Sequence, residues 1–303
     1  MSAIDGFRLR GGDIEYLGTE LSRPECVVAE RDGTLWVSDL RGALTRIGAD
    51  GGQRLVGPKG GVPNGVALCS DGRFLVADIE EGCVFRLDRD GGKTVLVDQL
   101  DGERLGAVNF VYLDDAERMW IPVSTRCEPR SAALESAVAD GYILLVDGTG
   151  ARIVADGFRF TNEVRLHGPH LYVAETTAGC VTRFTVAHDG TLSGRETFGP
   201  EPLFPGAMVD GITFDAEGNL WVTEITRNGL FVIKPDGEAV KIFEDPDGTF
   251  IRFPTSIAFG GDDLRTVYVG SLKMNRISRF ASPVPGAPMR HWRAVGAGGG
   301  ESG

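Results

Sequence analysis

Short runs of alternating apolar residues, each followed by a turn and a second apolar run, recur along the chain. In residues 209–225, for example, "VDGITF" leads through the turn "DAEGN" into "LWVTEI". A turn between two such runs is typical of a β-hairpin. The pattern therefore predicts antiparallel strands throughout, and only "SAALESAVA" (131–139) has the spacing of a helix.

The hairpin of residues 209–225 is one of six similar units. The apolar anchors of the second strands recur at steps of 39, 45, 52, 49 and 47 residues, at Trp36, Leu75, Trp120, Tyr172, Trp221 and Tyr268. This interval is typical of a four-stranded propeller blade and is too long for leucine-rich or ankyrin repeats. A β-sandwich or two small β-domains would be the alternative. Six matching units favour an all-β fold, a six-bladed β-propeller.

No change of composition divides the chain, so we predict a single propeller domain over residues 1–303. The blade cores are expected near residues 24–57, 63–98, 108–156, 161–198, 209–244 and 254–292. A closed ring needs its ends joined, and either the N-terminal "IEYLG" or the C-terminal "MRHW" would complete the last blade. The glycine-rich residues 294–303 are predicted to form a flexible tail.

One polar residue occupies the same place in every unit, ten to thirteen positions before the anchor. The six are Glu25, Asn64, Asn109, Asn162, Asp210 and Thr255. Because the first strand of each blade lines the central channel, these side chains should form a ring at one mouth. Carboxylate and amide oxygens in a ring suit a hard divalent cation. The alternative, which is strongest for Asn64 and Thr255, is that they bond to the backbone at the entry turns.

These motifs and their order resemble the regucalcin/gluconolactonase family of calcium-dependent six-bladed propeller lactonases, which includes luciferin-regenerating enzyme. The squid-type phosphotriesterases are more distantly similar. The resemblance extends from about residue 20 to about residue 282. It implies a metal in the central channel, held by Glu25 of "PECV", Asn162 of "FTNEV" and Asp210 of "MVDG". It also implies that Asn109 of "VNFV" lies beside the metal or its substrate, and we predict that Asn109 binds substrate.

Three positions depart from the pattern of that family. Phe110 stands where family members commonly have Asp, Glu163 where they have Gly, and Ala107 where regucalcin-like members have Arg. We predict that Phe110 contacts the substrate, which would favour an aromatic or hydrophobic compound over a sugar. Glu163 is predicted to be a strand residue that faces away from the axis, with an outer carboxylate of the metal site as the alternative.

Residues 125–141 form a long insertion between the second and third strands of unit three. If the first strand runs away from the ligand mouth, this connection lies over the metal. The insertion should then form a wall or lid, with Ser124, Thr125 and Arg126 near the pocket. Since loops positioned by a rigid scaffold commonly carry binding residues, Arg126 is predicted to contact the substrate.

A divalent cation in the channel can polarise an ester or lactone carbonyl and lower the pKa of a water. The resemblance implies that Asp210 both binds this cation and acts as the general base. The predicted activity is metal-dependent hydrolysis of a small sugar-derived or hydroxy-acid lactone. The alternatives are hydrolysis of aryl esters or phosphotriesters, a metal-dependent isomerase or lyase, and a non-enzymatic binding propeller. One cation is expected, with Ca²⁺ favoured and Mg²⁺, Mn²⁺ or Zn²⁺ as alternatives.

The formal charge of −12 and the pI near 4.9 argue against nucleic acid and acidic membrane surfaces as partners. Both of these need clusters of Lys and Arg. No window approaches the roughly 20 apolar residues of a membrane helix, and the N-terminus lacks an apolar run before a cleavage site. We therefore predict a cytoplasmic protein with a small-molecule substrate, and the oligomeric state stays open.

Overall fold

Six four-stranded antiparallel sheets make up the body of the protein. The computed structural model describes residues 2–135 and 138–292. Within these residues, helix is confined to α1 (Ala132–Glu135) and two 3-10 turns, Gly11–Asp13 and Arg290–Trp292. Accordingly, none of the described helices is long and apolar enough to cross a membrane. Successive sheets pack side by side, and the last packs against the first, so the predicted six-bladed β-propeller is confirmed.

The strand β1 (Glu15–Leu17) comes before blade one, and blades one to five are each formed by four consecutive strands. Blade one contains β2 (Val27–Ala29), β3 (Leu35–Ser38), β4 (Leu44–Ile47) and β5 (Gln53–Val56). Blade two contains β6 (Pro63–Leu68), β7 (Phe74–Asp78), β8 (Cys83–Leu87) and β9 (Lys93–Val97). A small hairpin follows, with β10 (Gln99–Leu100) and β11 (Glu103–Arg104).

The next three blades repeat this order from the channel outwards. Blade three contains β12 (Tyr112–Leu113), β13 (Met119–Val123), β14 (Gly141–Asp147) and β15 (Gly150–Phe158). Blade four contains β16 (Thr161–His167), β17 (His170–Glu175), β18 (Cys180–Val186) and β19 (Leu192–Thr197). Blade five contains β20 (Val209–Phe214), β21 (Leu220–Glu224), β22 (Gly229–Ile233) and β23 (Ala239–Phe243).

Blade six joins the two ends of the chain. It contains β24 (Pro254–Gly260), β25 (Thr266–Ser271) and β26 (Ile277–Ala281), and β1 is its outer strand. Of the two segments expected to close the ring, "IEYLG" does so, because it contains β1. The alternative "MRHW" lies at the second 3-10 turn, so the sheet ends at Ala281 rather than near residue 292. The predicted flexible tail, 294–303, lies outside the described residues.

Tryptophan anchors explain the repeat. Trp36, Trp120 and Trp221 are almost fully buried, and each donates its indole N–H to a carboxylate of the preceding hairpin turn. The three distances are 2.6, 2.9 and 3.0 Å. The apolar body of the indole thus fills the space between blades while its polar atom remains bonded.

The first strands of four blades change register at the ring positions. The shifts lie between Pro63 and Val66, Thr161 and Val164, Val209 and Ile212, and Pro254 and Ser256. An irregularity of this kind breaks the alternation of a strand and re-aims a side chain. Each shift encloses one ring residue, and these are Asn64, Asn162, Asp210 and Thr255. The shifts therefore account for the common orientation of these four side chains towards the channel, which regular strands would not give.

Candidate metal centre and active site

The structure brings the polar ring together at one mouth of the channel. The side-chain amide of Asn64 donates to Glu25 Oε1 and Asn109 Oδ1, each at 2.9 Å, and to the Asn109 carbonyl at 2.8 Å. Asn109 in turn donates to the Ser124 hydroxyl at 2.9 Å. All four side chains are buried. These hydrogen bonds tie blades one, two and three to each other.

Asn64 and Thr255 support the ring from within the protein. Asn64 Oδ1 accepts a hydrogen bond from Arg23 at 2.7 Å, so both ends of its amide are occupied. The Thr255 hydroxyl donates to the backbone carbonyl of Glu25 at 2.8 Å. Both side chains therefore donate to backbone carbonyls, but to those of a neighbouring blade rather than of their own entry turn.

Three buried oxygens of the ring have no hydrogen-bond partner among the described residues. They are Glu25 Oε2, Asn162 Oδ1 and Asp210 Oδ1, from blades one, four and five. An unpaired buried oxygen costs about 1–3 kcal/mol, and more when it is charged. Two carboxylates and an amide are the donors that a hard cation prefers. The residues present therefore fit a divalent cation, although the described chain has no cluster of three His, Cys, Asp or Glu side chains.

Like charges at this mouth destabilise the ionised carboxylates. Burial raises the pKa of Glu25 to about 7, and the charge of Glu163 adds to this while Arg23 opposes it. Burial also raises the pKa of Asp210 well above its ordinary value, with Glu25 and Glu163 adding to the effect. Because a cation between the carboxylates would offset this repulsion, the electrostatics agree with the unpartnered oxygens.

The sequence as a whole matches one protein family. Residues 23–273 match the model of a family described as the SMP-30/Gluconolactonase/LRE-like region. The chain belongs to this family. The matched stretch contains all six ring positions, so the candidate metal centre lies entirely within the family region.

Two named proteins and one solved structure illustrate the relationship. The 6-deoxy-6-sulfogluconolactonase of Pseudomonas putida is 27% identical over 218 residues, which are 69% of this chain and 68% of that protein. The pentonolactonase XacC of Haloferax volcanii is 29% identical over 235 residues, 77% of this chain and 75% of that protein. The calcium-binding protein regucalcin of Agrobacterium tumefaciens shares the fold, with a TM-score of 0.73 and 18% identity over 92% of this chain and 98% of that chain.

Glu163, one of the departures from the SMP-30/gluconolactonase pattern, lies in the channel. Its carboxylate accepts the backbone N–H of Ile212 at 3.0 Å and pairs with Arg165 at 3.1 Å. The prediction that it faces away from the axis was therefore wrong. Regular alternation would place it opposite Asn162, but the register shift in β16 turns both residues inward. Burial raises the pKa of Glu163 to about 7 despite the charge of Arg165.

Arg126 lies on the rim of the mouth, outside the ring. Its backbone N–H donates to Asp140 Oδ2 at 2.8 Å, and its guanidinium lies 4.0 Å from the centre of the Tyr142 ring. It lines an open cavity of about 940 Å³, which we call the basin, between residues 102–104 of the small hairpin and residues 126–131 of the insertion. The insertion thus forms one wall of this basin. That it covers the metal stays a prediction. That Arg126 contacts substrate stays a prediction.

Phe110 lies beneath the ring, inside the channel, and is only 3% exposed. A Cβ added to Gly65 would lie within 2.6 Å of Phe110 Cα, and the Arg165 guanidinium lies 4.6 Å from the centre of the Phe110 ring. These contacts give Phe110 a packing role. Its predicted contact with substrate, and that of Asn109 above it, stay predictions.

Sequence reasoning missed Arg23 and Arg165. Arg23 comes two residues before Glu25, and its guanidinium donates to Asn64 at the centre of the ring. Arg165 comes two residues after Glu163, which is the spacing of neighbours on one face of a strand. That spacing was the available signal, because a charged residue on a channel strand needs an opposite charge nearby.

Proposed function

We propose that the protein is a divalent-cation-dependent lactonase that opens a small sugar-derived or hydroxy-acid lactone. The observation that carries this proposal is the set of three unpartnered buried oxygens, on Glu25, Asn162 and Asp210. Membership in the SMP-30/gluconolactonase family and two relatives named as lactonases support the reaction and the substrate class.

The three unpartnered oxygens would hold a single cation. Ca²⁺ is favoured because hard oxygen donors suit it and because a neighbour of the same fold is named a calcium-binding protein. Mg²⁺, Mn²⁺ and Zn²⁺ are the alternatives. When bound, such an ion polarises a lactone carbonyl and lowers the pKa of a water.

Asp210 has the central role in proton transfer. Its carboxylate takes a proton from the water that attacks the lactone carbonyl, and it returns that proton to the ring oxygen as the ester bond breaks. The products are one hydroxyl and one carboxylic acid, which ionises. Asn109, held by Asn64 and Ser124, presents a fixed amide next to this site for a polar group of the substrate.

No contact of the described residues favours the other hydrolase substrates. The expectation of an aromatic substrate depended on Phe110 at the mouth, and Phe110 instead packs below the ring. On the basis of the formal charge of −12, we further propose that neither nucleic acid nor an acidic membrane surface is a partner. The cytoplasmic location stays a prediction. The whole chain is proposed to form one propeller domain.

Hydrolysis of a panel of lactones and aryl esters tests the proposal. Protein stripped of cations should be inactive, and Ca²⁺, Mg²⁺, Mn²⁺ or Zn²⁺ should restore turnover of a sugar-derived lactone. Asp210→Asn should lower kcat by roughly 10³-fold or more, because it removes both the general base and a charged cation ligand. Asp236→Asn, at an exposed turn where the side chain is 68% accessible, is the control and should keep full activity.

Calorimetric titration with each cation tests the metal centre separately from the lactonase activity. A cation that binds the parent but not Asp210→Asn, without turnover of any compound, would reject the lactonase and keep the metal centre. Absence of cation binding by the parent would reject both.

A further inference from the structure

The backbone around Asp210 departs from a regular strand. Val209 faces Glu224 and Ile212 faces Val222, so β20 has one residue more than β21 over this stretch. A bulge of this kind interrupts the ladder of backbone hydrogen bonds and changes the direction of the side chains on it. The direction of the Asp210 carboxylate therefore depends on the groups that hold the bulge.

Two side chains hold the backbone amides that follow Asp210. The Gly211 N–H donates to Thr223 Oγ1 at 2.7 Å, and the Ile212 N–H donates to Glu163 Oε2 at 3.0 Å. Thr223 lies on the neighbouring strand β21, whereas Glu163 belongs to β16 of blade four. Both side chains are buried. Since a buried backbone N–H needs a partner, these two bonds stabilise the irregular conformation.

Gly211 also packs closely against blade six. A Cβ added at this position would lie 2.3 Å from the Thr255 carbonyl oxygen, far inside van der Waals contact, so only glycine fits without a shift of the backbone. Interiors packed this tightly transmit displacements instead of absorbing them. The bulge is therefore enclosed by blade six on one side and by the Glu163 carboxylate of blade four on the other.

Glu163 is itself held in place by Arg165. The guanidinium contacts Glu163 Oε2 at 3.1 Å, and this is the same oxygen that accepts the Ile212 N–H. The guanidinium also donates to the Val164 carbonyl at 3.0 Å and lies 4.6 Å from the centre of the Phe110 ring. Charge-assisted hydrogen bonds are stronger than neutral ones, so Glu163 is a firmly placed acceptor.

We propose that Glu163 is a positioning residue for Asp210: by accepting the Ile212 N–H, it fixes the bulge that directs the Asp210 carboxylate towards the candidate cation. Thr223 has the same role on the other side of the bulge. This inference rests on the proposed metal centre and its general base. It assigns a role to a carboxylate that the proposed reaction does not use. Replacing groups that orient metal ligands typically changes metal affinity or activity by roughly 10–100-fold.

Glu163→Gln and Glu163→Leu separate the hydrogen bond from the charge. Both variants remove the negative charge, but the carbonyl oxygen of glutamine can keep both contacts of Oε2, whereas leucine keeps neither. We expect Glu163→Leu to raise the Kd for Ca²⁺ by about tenfold or more, and Glu163→Gln to stay within about threefold of the parent. Calorimetric titration measures both.

Amide hydrogen exchange across β20 in cation-free protein measures the bulge without cation or substrate. Exchange should be about tenfold or more faster in Glu163→Leu than in the parent, because the Ile212 N–H loses its acceptor and opens more easily. Glu163→Gln should exchange at nearly the rate of the parent.

Turnover of a lactone adds a kinetic measurement. At saturating cation, Glu163→Leu should lower kcat by about tenfold or more and leave KM within about threefold, because the change displaces Asp210 and leaves the predicted substrate contacts in place. Glu163→Gln should keep most of the activity.

Thr223 gives a second pair of variants, which tests the inference even if Glu163→Leu does not fold. Thr223→Val removes the hydroxyl that accepts the Gly211 N–H with little change of shape, whereas Thr223→Ser keeps it. Thr223→Val should bind Ca²⁺ more weakly and exchange faster across β20. Thr223→Ser should remain close to the parent.

Asp147→Leu is the matched control. Asp147 also pairs with an arginine, Arg152 at 2.9 Å, and also accepts a backbone N–H, that of Thr149 at 2.8 Å. It lies at the turn between β14 and β15, away from the bulge. Asp147→Leu should therefore leave Ca²⁺ affinity and exchange across β20 unchanged.

Parent-like Ca²⁺ affinity and exchange in Glu163→Leu would overturn the proposal. A Glu163→Gln variant as impaired as Glu163→Leu would do the same, since the charge and not the hydrogen bond would then be responsible. An equal effect of Asp147→Leu would also overturn it. If the parent binds no cation or hydrolyses no lactone, the proposed function fails, and exchange in the cation-free protein still decides whether Glu163 holds the bulge.

Discussion

The buried carboxylates at two levels of the central channel differ in their contacts. At the mouth, Glu25 and Asp210 each keep one carboxylate oxygen without a partner. Below it, Glu163 contacts Arg165 at 3.1 Å, and the guanidinium lies 4.6 and 5.7 Å from the ring centres of Phe110 and Tyr112. The two levels adjoin, because Asn162 of the ring and Glu163 below it are consecutive residues of β16. Burial alone therefore does not mark a binding site; the mouth differs in having unpartnered carboxylate oxygens from two blades.

The cavity beside the mouth is also much larger than the cavity beneath the ring. The cavity beneath the ring, lined by Phe110, Glu163 and Trp292 among others, has a volume of only about 40 Å³. That is room for a few water molecules and not for a sugar. The basin beside the mouth has about 940 Å³. Of these two cavities, the basin is the one with room for a sugar-sized substrate.

The largest expected effect comes from replacing Arg165, the positively charged partner of Glu163 below the ring. In cation-free protein, Arg165→Met leaves Glu163 buried beside two other carboxylates, and it should lower the free energy of unfolding by about 3–5 kcal/mol. The double variant Arg165→Met/Glu163→Gln removes the stranded charge and should recover most of this loss. Urea denaturation in EDTA measures both. A double variant no more stable than the single one would show that the ion pair does not account for the effect.

Binding of a cation at the mouth should stabilise the protein, because it gives the carboxylates there a positively charged partner. A cation at one hundred times its dissociation constant should raise the free energy of unfolding by about 2.7 kcal/mol. Glu25→Gln and Asp210→Asn should largely abolish this gain, whereas Asp236→Asn should retain it. Thermal unfolding with and without EDTA gives the comparison. An equal gain in all four proteins would place the stabilising cation elsewhere.

The smallest expected effect concerns the packing of Gly65 against Phe110 below the ring. Gly65→Ala would force the new Cβ against Phe110, and it should cost roughly 1–3 kcal/mol through overpacking. Gly148→Ala, at a turn with no atom within 4 Å of the new Cβ, is the matched control and should be nearly neutral. If both variants unfold at the same denaturant concentration, the contact between Gly65 and Phe110 is more tolerant than the geometry indicates.

The strands and hairpins could be predicted from the sequence, because they depend on the local alternation of apolar and polar residues. The anchors Trp36, Trp120 and Trp221 and the hairpins around them follow from a repeat that each strand pair satisfies by itself. The polar ring could be found because it recurs in phase with those anchors. Glu163 was misplaced because a register shift, a property of the backbone that no residue type signals here, cancels the expected alternation.

Arg23 at the mouth shows a second limit. It lies outside the strands, and its hydrogen bond to Asn64, 41 positions away, depends on the path of the segment before blade one. No periodicity links such a segment to the strand it contacts. Pairing that depends on a loop path needs coordinates, whereas pairing that depends on strand spacing, as for Glu163 and Arg165, can be read two residues apart.

The closing strand of blade six has a consequence for the order of events during translation. Leu17 is paired with Ile277, so β1 is synthesised 260 residues before the strand with which it pairs. The last blade keeps an unpaired edge until β1 docks. The newborn chain can therefore associate with other chains at this edge until β1 has docked on β26.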